Sequence, residues 1–89
     1  MKLNASQREQ LRLTILRLCL DPLRPGLLLA YVRAEGFARL QAEQLDLEMT
    51  YLADKQLLTS ANGPVSPELK HWRTTATGRD CLAQQEGNE

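Results

Sequence analysis

The residues of this chain that could do chemistry are few, and none stands at a catalytic spacing. His71 is the lone histidine, and no acid or nucleophile lies at a recognisable spacing to position it as a general base. Asp46 and Glu48 are two residues apart, so on a helix their side chains diverge and do not form a carboxylate pair. The glycines in the body of the chain fall singly, without the spacing of a phosphate-binding loop. We therefore predict no catalytic residues and no enzyme activity.

The two cysteines, Cys19 and Cys81, do not form a metal-binding motif. Neither belongs to a CxxC pair or to a cluster of His and Cys ligands. We interpret them as reduced thiols acting as small apolar residues, with a disulfide between the first and last helices as the alternative. The start of the chain lacks the apolar core of a signal peptide, and the longest apolar run, Leu27–Val32, is far too short to span a membrane. The sequence thus predicts a cytoplasmic protein with no cofactor, no metal and no membrane contact.

Charge is balanced over the whole chain but not along it. Eleven basic residues match eleven acidic ones, whereas a protein dedicated to nucleic acid usually carries a basic excess. Residues 1–24 and 63–79 nevertheless each hold more basic than acidic residues. In the second segment Lys70, His71 and Arg73 surround Trp72, with Arg79 following, and together they could contact a phosphate backbone. The alternative is a solvated hairpin whose tryptophan closes the edge of the core.

The first helix carries an unusually wide apolar surface. Ser6 followed by Glu9 is a capping-box pattern that predicts a helix running to about Leu20, ahead of Pro22. An ordinary surface helix needs an apolar stripe only slightly wider than about 100°, and this one is roughly twice that. Its second stripe is therefore either an interface or covered within the fold. We predict that it forms a homodimer interface through Leu13, Leu16 and Leu20.

The rest of the chain predicts one mainly α-helical domain with a small β-hairpin, spanning residues 1–89. A short second helix follows Pro25 and stops at Gly36. Thr75 is a suitable N-cap for the last helix. The other predicted elements are a third helix over 40–56, a strand from Leu57, a turn at 62–64, a returning strand over 69–75, a last helix over 76–84 and a frayed tail over 86–89.

Three segments resemble the winged helix-turn-helix superfamily of the multiple-antibiotic-resistance and arsenic-repressor type. They are LRLTILRL at 11–18, YLADKQLL at 51–58 and WRTTATGR at 72–79. The length and layout also resemble small winged-helix proteins of Mu-like phages and prophages. The resemblance implies three helices, a two-stranded wing and a C-terminal helix, in a transcriptional regulator or a phage accessory protein. Two positions depart from the pattern: Gln56 stands where a glycine usually ends the third helix, and Leu40-Gln41 replaces the usual Ser or Thr cap.

The third helix is acidic, which leaves two hypotheses for the partner. In a DNA-binding winged helix the solvent face of this helix enters the major groove. Between residues 41 and 56, four carboxylates accompany a single lysine and no arginine. If the protein binds double-stranded DNA, we expect contacts through the wing and first helix, with Gln41 and Gln44 reading bases. The alternative is a protein–protein adapter that binds an unidentified protein through Asp46, Leu47 and Glu48.

Overall fold

The computed structural model describes residues 2–62 and 70–87. Within them, four helices and one antiparallel two-stranded sheet follow the winged-helix plan that the sequence predicts. The predicted turn residues Gly63 and Pro64, the start of the returning strand at Leu69, and residues 88–89 of the predicted tail lie outside the described residues. The elements are α1 (Ala5–Leu18), α2 (Pro25–Ala34), α3 (Ala42–Asp54), β1 (Leu58–Asn62), β2 (Lys70–Thr74) and α4 (Ala76–Gly87).

Helix α1 starts earlier than predicted because a different capping box opens it. Asn4 Oδ1 accepts a hydrogen bond from the Gln7 backbone N–H at 2.8 Å, and Gln7 Oε1 accepts one from the Asn4 N–H at 3.0 Å. The prediction of Ser6 as the cap is therefore wrong, since the same reciprocal bonding is met two residues before it. At the other end of the chain, α4 continues to Gly87, beyond the predicted end at Gln84.

The core is built around α1, which contacts α2, α3, α4 and β2. Leu16 is only 1% exposed, so its predicted place in a dimer interface is wrong. Leu13 is half-buried against the core, while Leu20 is 44% exposed. The second apolar stripe of α1 is thus largely covered within the fold. The buried apolar residues are Leu11, Ile15, Leu16, Cys19, Leu28, Val32, Leu40, Leu45, Met49, Leu52, Leu58 and Leu82.

Helices α2 and α3 both end on a residue with positive φ. Gly36, with φ 119°, follows α2 and confirms the predicted stop. After α3 the residue is Gln56, with φ 62°, a left-handed conformation that favours glycine. The Gln56 N–H donates to the Ala53 carbonyl at 3.0 Å and the Leu57 N–H to the Leu52 carbonyl at 2.9 Å, so hydrogen bonds hold this turn in place. Gln56, in place of the usual glycine, therefore adopts a strained backbone conformation. Helix α3 itself ends at Asp54, two residues before the predicted end.

The wing is joined to α1 and to the segment after it. Leu58 pairs with Thr74 and Asn62 with Lys70 across the hairpin. Leu23 exchanges two backbone hydrogen bonds with Trp72, at 3.0 and 2.7 Å. This isolated antiparallel bridge joins the segment after α1 to β2. These bonds fix the position of the wing relative to the helices.

The base of the wing is also the start of α4. Thr75 Oγ1 accepts a hydrogen bond from the Gly78 N–H at 3.0 Å, which confirms Thr75 as a capping residue. A Cβ at Gly78 would overlap the Leu57 carbonyl and the Thr74 methyl group. The absence of a side chain at Gly78 therefore lets α4 lie directly against the hairpin.

Candidate nucleic-acid interface

The outer face of the wing brings three basic side chains together. The register pairs Thr59 with Arg73 and Ala61 with His71, so these side chains share one face of the hairpin. Arg24 follows Leu23, whose bridge to Trp72 carries it to the same face. The Arg24 Nε donates to His71 Nε2 at 3.5 Å. We call Arg24, His71 and Arg73 the wing cluster.

A shallow groove lies beside the wing cluster. Its volume is about 140 Å³, and Pro22, Thr59, Ala61, His71 and Arg73 line it. Among the described residues this lining includes no carboxylate, and Arg73 is the charged side chain that an anion in the groove would meet. The rest of this lining is largely apolar, so the groove offers an anion one cationic side chain and little other polar surface.

The other predicted basic residues lie elsewhere. Lys70 is on the opposite face of β2, because neighbouring side chains on a strand alternate. That face also carries the buried Thr74. Arg79 is exposed on α4. Of the four basic residues predicted for DNA, the structure brings His71 and Arg73 together and separates Lys70 and Arg79 from them.

Arg24 was missing from the predicted site. Arg24 precedes Pro25, which favours the extended backbone observed there, but the sequence does not specify its strand partner. Pairing of that segment with the wing carries Arg24 beside His71.

The outward face of α3 is acidic, as predicted, with two large exposed hydrophobic side chains, Leu47 and the 40% exposed Tyr51. Glu43, Asp46 and Asp54 are exposed, and Leu47 is 69% exposed. Gln41 is exposed at the N-cap of α3. Gln44 is half-buried, and its Oε1 accepts a hydrogen bond from the Gln41 N–H at 3.0 Å. The Gln41 side chain in turn accepts from the Gln44 backbone N–H, so both glutamines take part in a capping box at the start of α3 in place of the usual Ser or Thr.

Glu48 is not on this surface, and its predicted role in binding a partner is wrong. It is 3% exposed and lies between α3 and α1. Its Oε1 accepts from Arg8 Nε at 3.2 Å and Arg8 Nη2 at 3.1 Å, and its Oε2 accepts from Arg12 Nε at 3.1 Å. The Arg12 guanidinium also lies 3.8 Å from the centre of the Tyr51 ring. Two of the basic residues of the first helix are thus engaged in joining α1 to α3.

A second groove, of about 310 Å³, lies where the N-terminal segment meets α3. Like the groove on the wing it combines apolar and cationic side chains, and its lining also includes the carboxylate of Glu48. Its lining residues are Lys2, Leu3, Arg8, Gln44, Leu47 and Glu48.

The described residues offer no metal site. Across 2–62 and 70–87, no group of three or more His, Cys, Asp or Glu side chains is placed to hold a metal ion. No helix in those ranges is long and apolar enough to cross a membrane. Both cysteines are free thiols, and burial raises the pKa of Cys19 to about 12. At neutral pH Cys19 is therefore a packed apolar group and not a nucleophile.

Solved structures of transcriptional regulators have a similar fold. A PadR family transcriptional regulator from Eggerthella lenta aligns with a TM-score of 0.70 and 28% identity, covering 90% of this chain and 71% of that one. The transcriptional regulator BldR from Sulfolobus solfataricus aligns with a TM-score of 0.67 and 17% identity over 84% of this chain and 50% of its own. A variant of ZitR from Lactococcus lactis gives 0.60 and 13%, over 98% of this chain and 53% of its own. The chain thus spans about half the length of the last two. No family model and no curated protein matches it.

Proposed function

We propose that this protein is a DNA-binding transcriptional regulator, or a phage accessory protein of the same kind, that contacts duplex DNA chiefly through its wing. The wing cluster is the observation that carries the proposal, since it joins Arg24, His71 and Arg73 on one exposed face. The likeness in fold to transcriptional regulators supports the general class. The proposal includes a cytoplasmic location and a homodimeric state.

The distribution of charge favours contact between DNA and the wing over contact between DNA and α3. Glu43, Asp46 and Asp54 would meet phosphates if α3 entered the major groove alone, and each like-charge contact would cost on the order of 1 kcal/mol at the surface. Arginine on the wing can instead donate two parallel hydrogen bonds to a phosphate. The contribution of the first helix is smaller than its charge suggests, because Arg8 and Arg12 bind Glu48. Gln41 and Gln44, at the start of α3, stay the proposed base readers, and Gln41 is the more exposed of the two.

The proposal is tested by measuring fluorescence anisotropy with labelled duplexes of mixed sequence at low and moderate salt. The wild-type protein should bind at low salt and weaken steeply as salt rises. The double substitution Arg24→Gln with Arg73→Gln should weaken binding by about tenfold or more and lower the salt slope by about two. The control is Lys2→Gln with Arg39→Gln, which removes the same charge from two exposed positions away from the wing. It should change the affinity by less than about threefold.

Two results would count against this assignment. Absence of binding at low salt would reject the DNA-binding function itself. An equal loss in the test and control variants would mean that overall charge, and not the wing cluster, controls affinity.

Exposure of Leu47 supports a second candidate, a protein–protein adapter. This side chain is 69% exposed between acidic neighbours and borders the larger groove. An exposed leucine beside Asp46 suits a protein surface better than a DNA groove. If duplex binding is absent, Leu47→Glu should break the complex with a partner while the helical content measured by circular dichroism stays unchanged.

A further inference from the structure

The solvent side of α2 is a continuous apolar surface. Leu27 is 49% and Tyr31 47% exposed, and residues four apart lie on one face of a helix. On the adjacent side, about 100° around the helix, Leu28 and Val32 are fully buried. The sequence from Pro25 to Val32 contains no charged residue. Helix α2 therefore presents apolar side chains both to the core and to solvent.

The one charged side chain within α2 is turned away from this surface. Arg33 Nε and Nη2 donate to the Leu40 carbonyl at 3.0 and 2.7 Å. These bonds tie the guanidinium to the segment before α3. They leave the outward face of α2 without a charged group of its own.

Small residues run alongside the two large ones. Gly26, Ala30 and Ala34 are spaced four apart and are all exposed. A Cβ at Gly26 would meet no atom within 4 Å, so this row is open to solvent. Small side chains permit a second helix to approach to the short end of the usual range of about 8–10 Å between axes.

The charges at the two ends of α2 are the reverse of those that stabilise a lone helix. Arg24 is the N-cap and Glu35 the C-cap, although the helix dipole favours an acid at the start and a base at the end. Arg17 Nη2 lies 3.6 Å from Glu35 Oε2, but both side chains are about half exposed, so this pair contributes little. If a second α2 packs antiparallel, Glu35 of one copy lies beside Arg24 of the other. Each helix start then has an acid nearby and each helix end a base, as the dipole favours.

The apolar surface and the end charges share one centre. Arg24 and Glu35 are equidistant from the point between Leu29 and Ala30, which is also near the middle of the stretch from Leu27 to Tyr31. With a two-fold axis through that point, the apolar surfaces of the two copies face each other, and opposite charges pair at both ends. The net charge of zero adds no long-range repulsion between copies.

We propose that two copies of this chain associate through α2, packed antiparallel about a two-fold axis near Ala30. This interface replaces the one expected from Leu13, Leu16 and Leu20, since Leu16 lies in the core. The interface shares Arg24 with the wing cluster, whereas Leu27 and Tyr31 belong to the interface alone, so substitutions of these two residues test it separately from DNA binding. A single three-turn helix presents less than the roughly 800 Å² per partner of a standard interface. The dimer should therefore be weak, with a dissociation constant in the micromolar range.

Sedimentation equilibrium of the purified chain over a wide range of concentration, from about 5 to 500 μM, tests the interface. The wild type should shift from monomer to dimer within that range. Leu27→Glu with Tyr31→Glu should raise the dissociation constant by at least about tenfold, because it buries carboxylates at the centre of the contact. The matched control is Leu47→Glu, which changes a still more exposed leucine on α3 and should leave the dimer intact. Circular dichroism of each variant checks that the helices are formed.

A charge exchange tests the antiparallel orientation. Glu35→Arg alone should weaken association severalfold, since it brings two arginines together at each end. Adding Arg24→Glu should restore association. If Glu35→Arg acted only by removing the Arg17–Glu35 pair within one copy, a change at Arg24 would not restore it. A wild type that stays monomeric at all concentrations, or a dimer unaffected by the α2 substitutions, would overturn the interface. Failure of the exchange to restore association would overturn the antiparallel arrangement.

Discussion

At the scale of single residues, Glu48 offers the sharpest test of what joins α1 to α3. Glu48→Ala should lower the free energy of unfolding by about 1–3 kcal/mol, because it leaves two guanidinium groups without their shared carboxylate. The loss should stay below that of a fully buried pair, since the Arg8 side chain is 51% exposed and screened by solvent. Urea unfolding followed by circular dichroism measures it.

Asp46→Ala is the matched control for Glu48→Ala. It removes a carboxylate from the same helix at an exposed position and should change stability by no more than about 0.5 kcal/mol. Equal effects of the two substitutions would mean that the carboxylate of Glu48 contributes no specific stabilisation.

The spacing of residues along α3 indicates that Glu48 is buried. Leu45, Glu48, Met49 and Leu52 follow the spacing i, i+3, i+4, i+7, so Glu48 occupies a position within the core stripe of α3. A carboxylate at such a position needs a cationic partner, and the facing helix supplies two arginines four residues apart. His71 and Arg73 were easier to place, because alternation along a strand is enough to put them on one face. Which helices face each other is not a local property, and that is why Glu48 was assigned to the surface.

At the scale of elements, Thr74 joins the wing to the end of α1. Its Oγ1 donates to the buried Leu16 carbonyl at 2.6 Å and its N–H to the Cys19 carbonyl at 2.9 Å. Carbonyl groups in the last turn of a helix lack partners within the helix, so the strand supplies what α1 cannot. The wing is therefore positioned by the end of α1 as well as by the bridge between Leu23 and Trp72.

Thr74→Val should destabilise the protein by about 1–3 kcal/mol, because it keeps the shape of the side chain and leaves a buried carbonyl without its donor. Thr59→Val is the control, since Thr59 is exposed on the other strand of the same hairpin. Thermal or urea unfolding of both variants measures the difference. Similar stability of the two would show that the backbone bond to Cys19 suffices to hold the wing.

The kinds and order of the elements could be predicted, but several of their ends could not. Pro25, Gly36 and Thr75 give strong local signals and were placed correctly. The start of α1 was missed because Asn4 and Gln7 compete with Ser6 and Glu9 for the same type of cap. The bridge from Leu23 to Trp72 joins residues far apart in the sequence, and no local pattern specifies such a pairing.

At the scale of the whole molecule, the reactivity of the Cys19 thiol is a measure of unfolding of the core. It is fully buried at the end of α1, where the helix meets the wing, and burial raises its pKa from 9.0 to about 12. As the pH rises, the Cys19 thiol therefore loses its proton at a lower pH in the unfolded chain than in the folded protein. Its contribution to stability is constant below pH 9 and then declines up to about pH 12, by at most about 1.4 kcal/mol per pH unit.

A thiol reagent at pH 8 should consequently label Cys19 only through cooperative unfolding of the domain. In a Cys81→Ser variant, labelling of Cys19 should be slow in buffer and should accelerate along the unfolding transition as urea is added. A Cys19→Ala variant is the comparison, because its remaining thiol, Cys81, is half-buried on α4 and should react in the folded protein. Fast labelling of Cys19 without denaturant would show that α1 and the wing separate while the rest of the domain stays folded. The bonds of Thr74 would then be too weak to join the wing to the helical core as one cooperative unit.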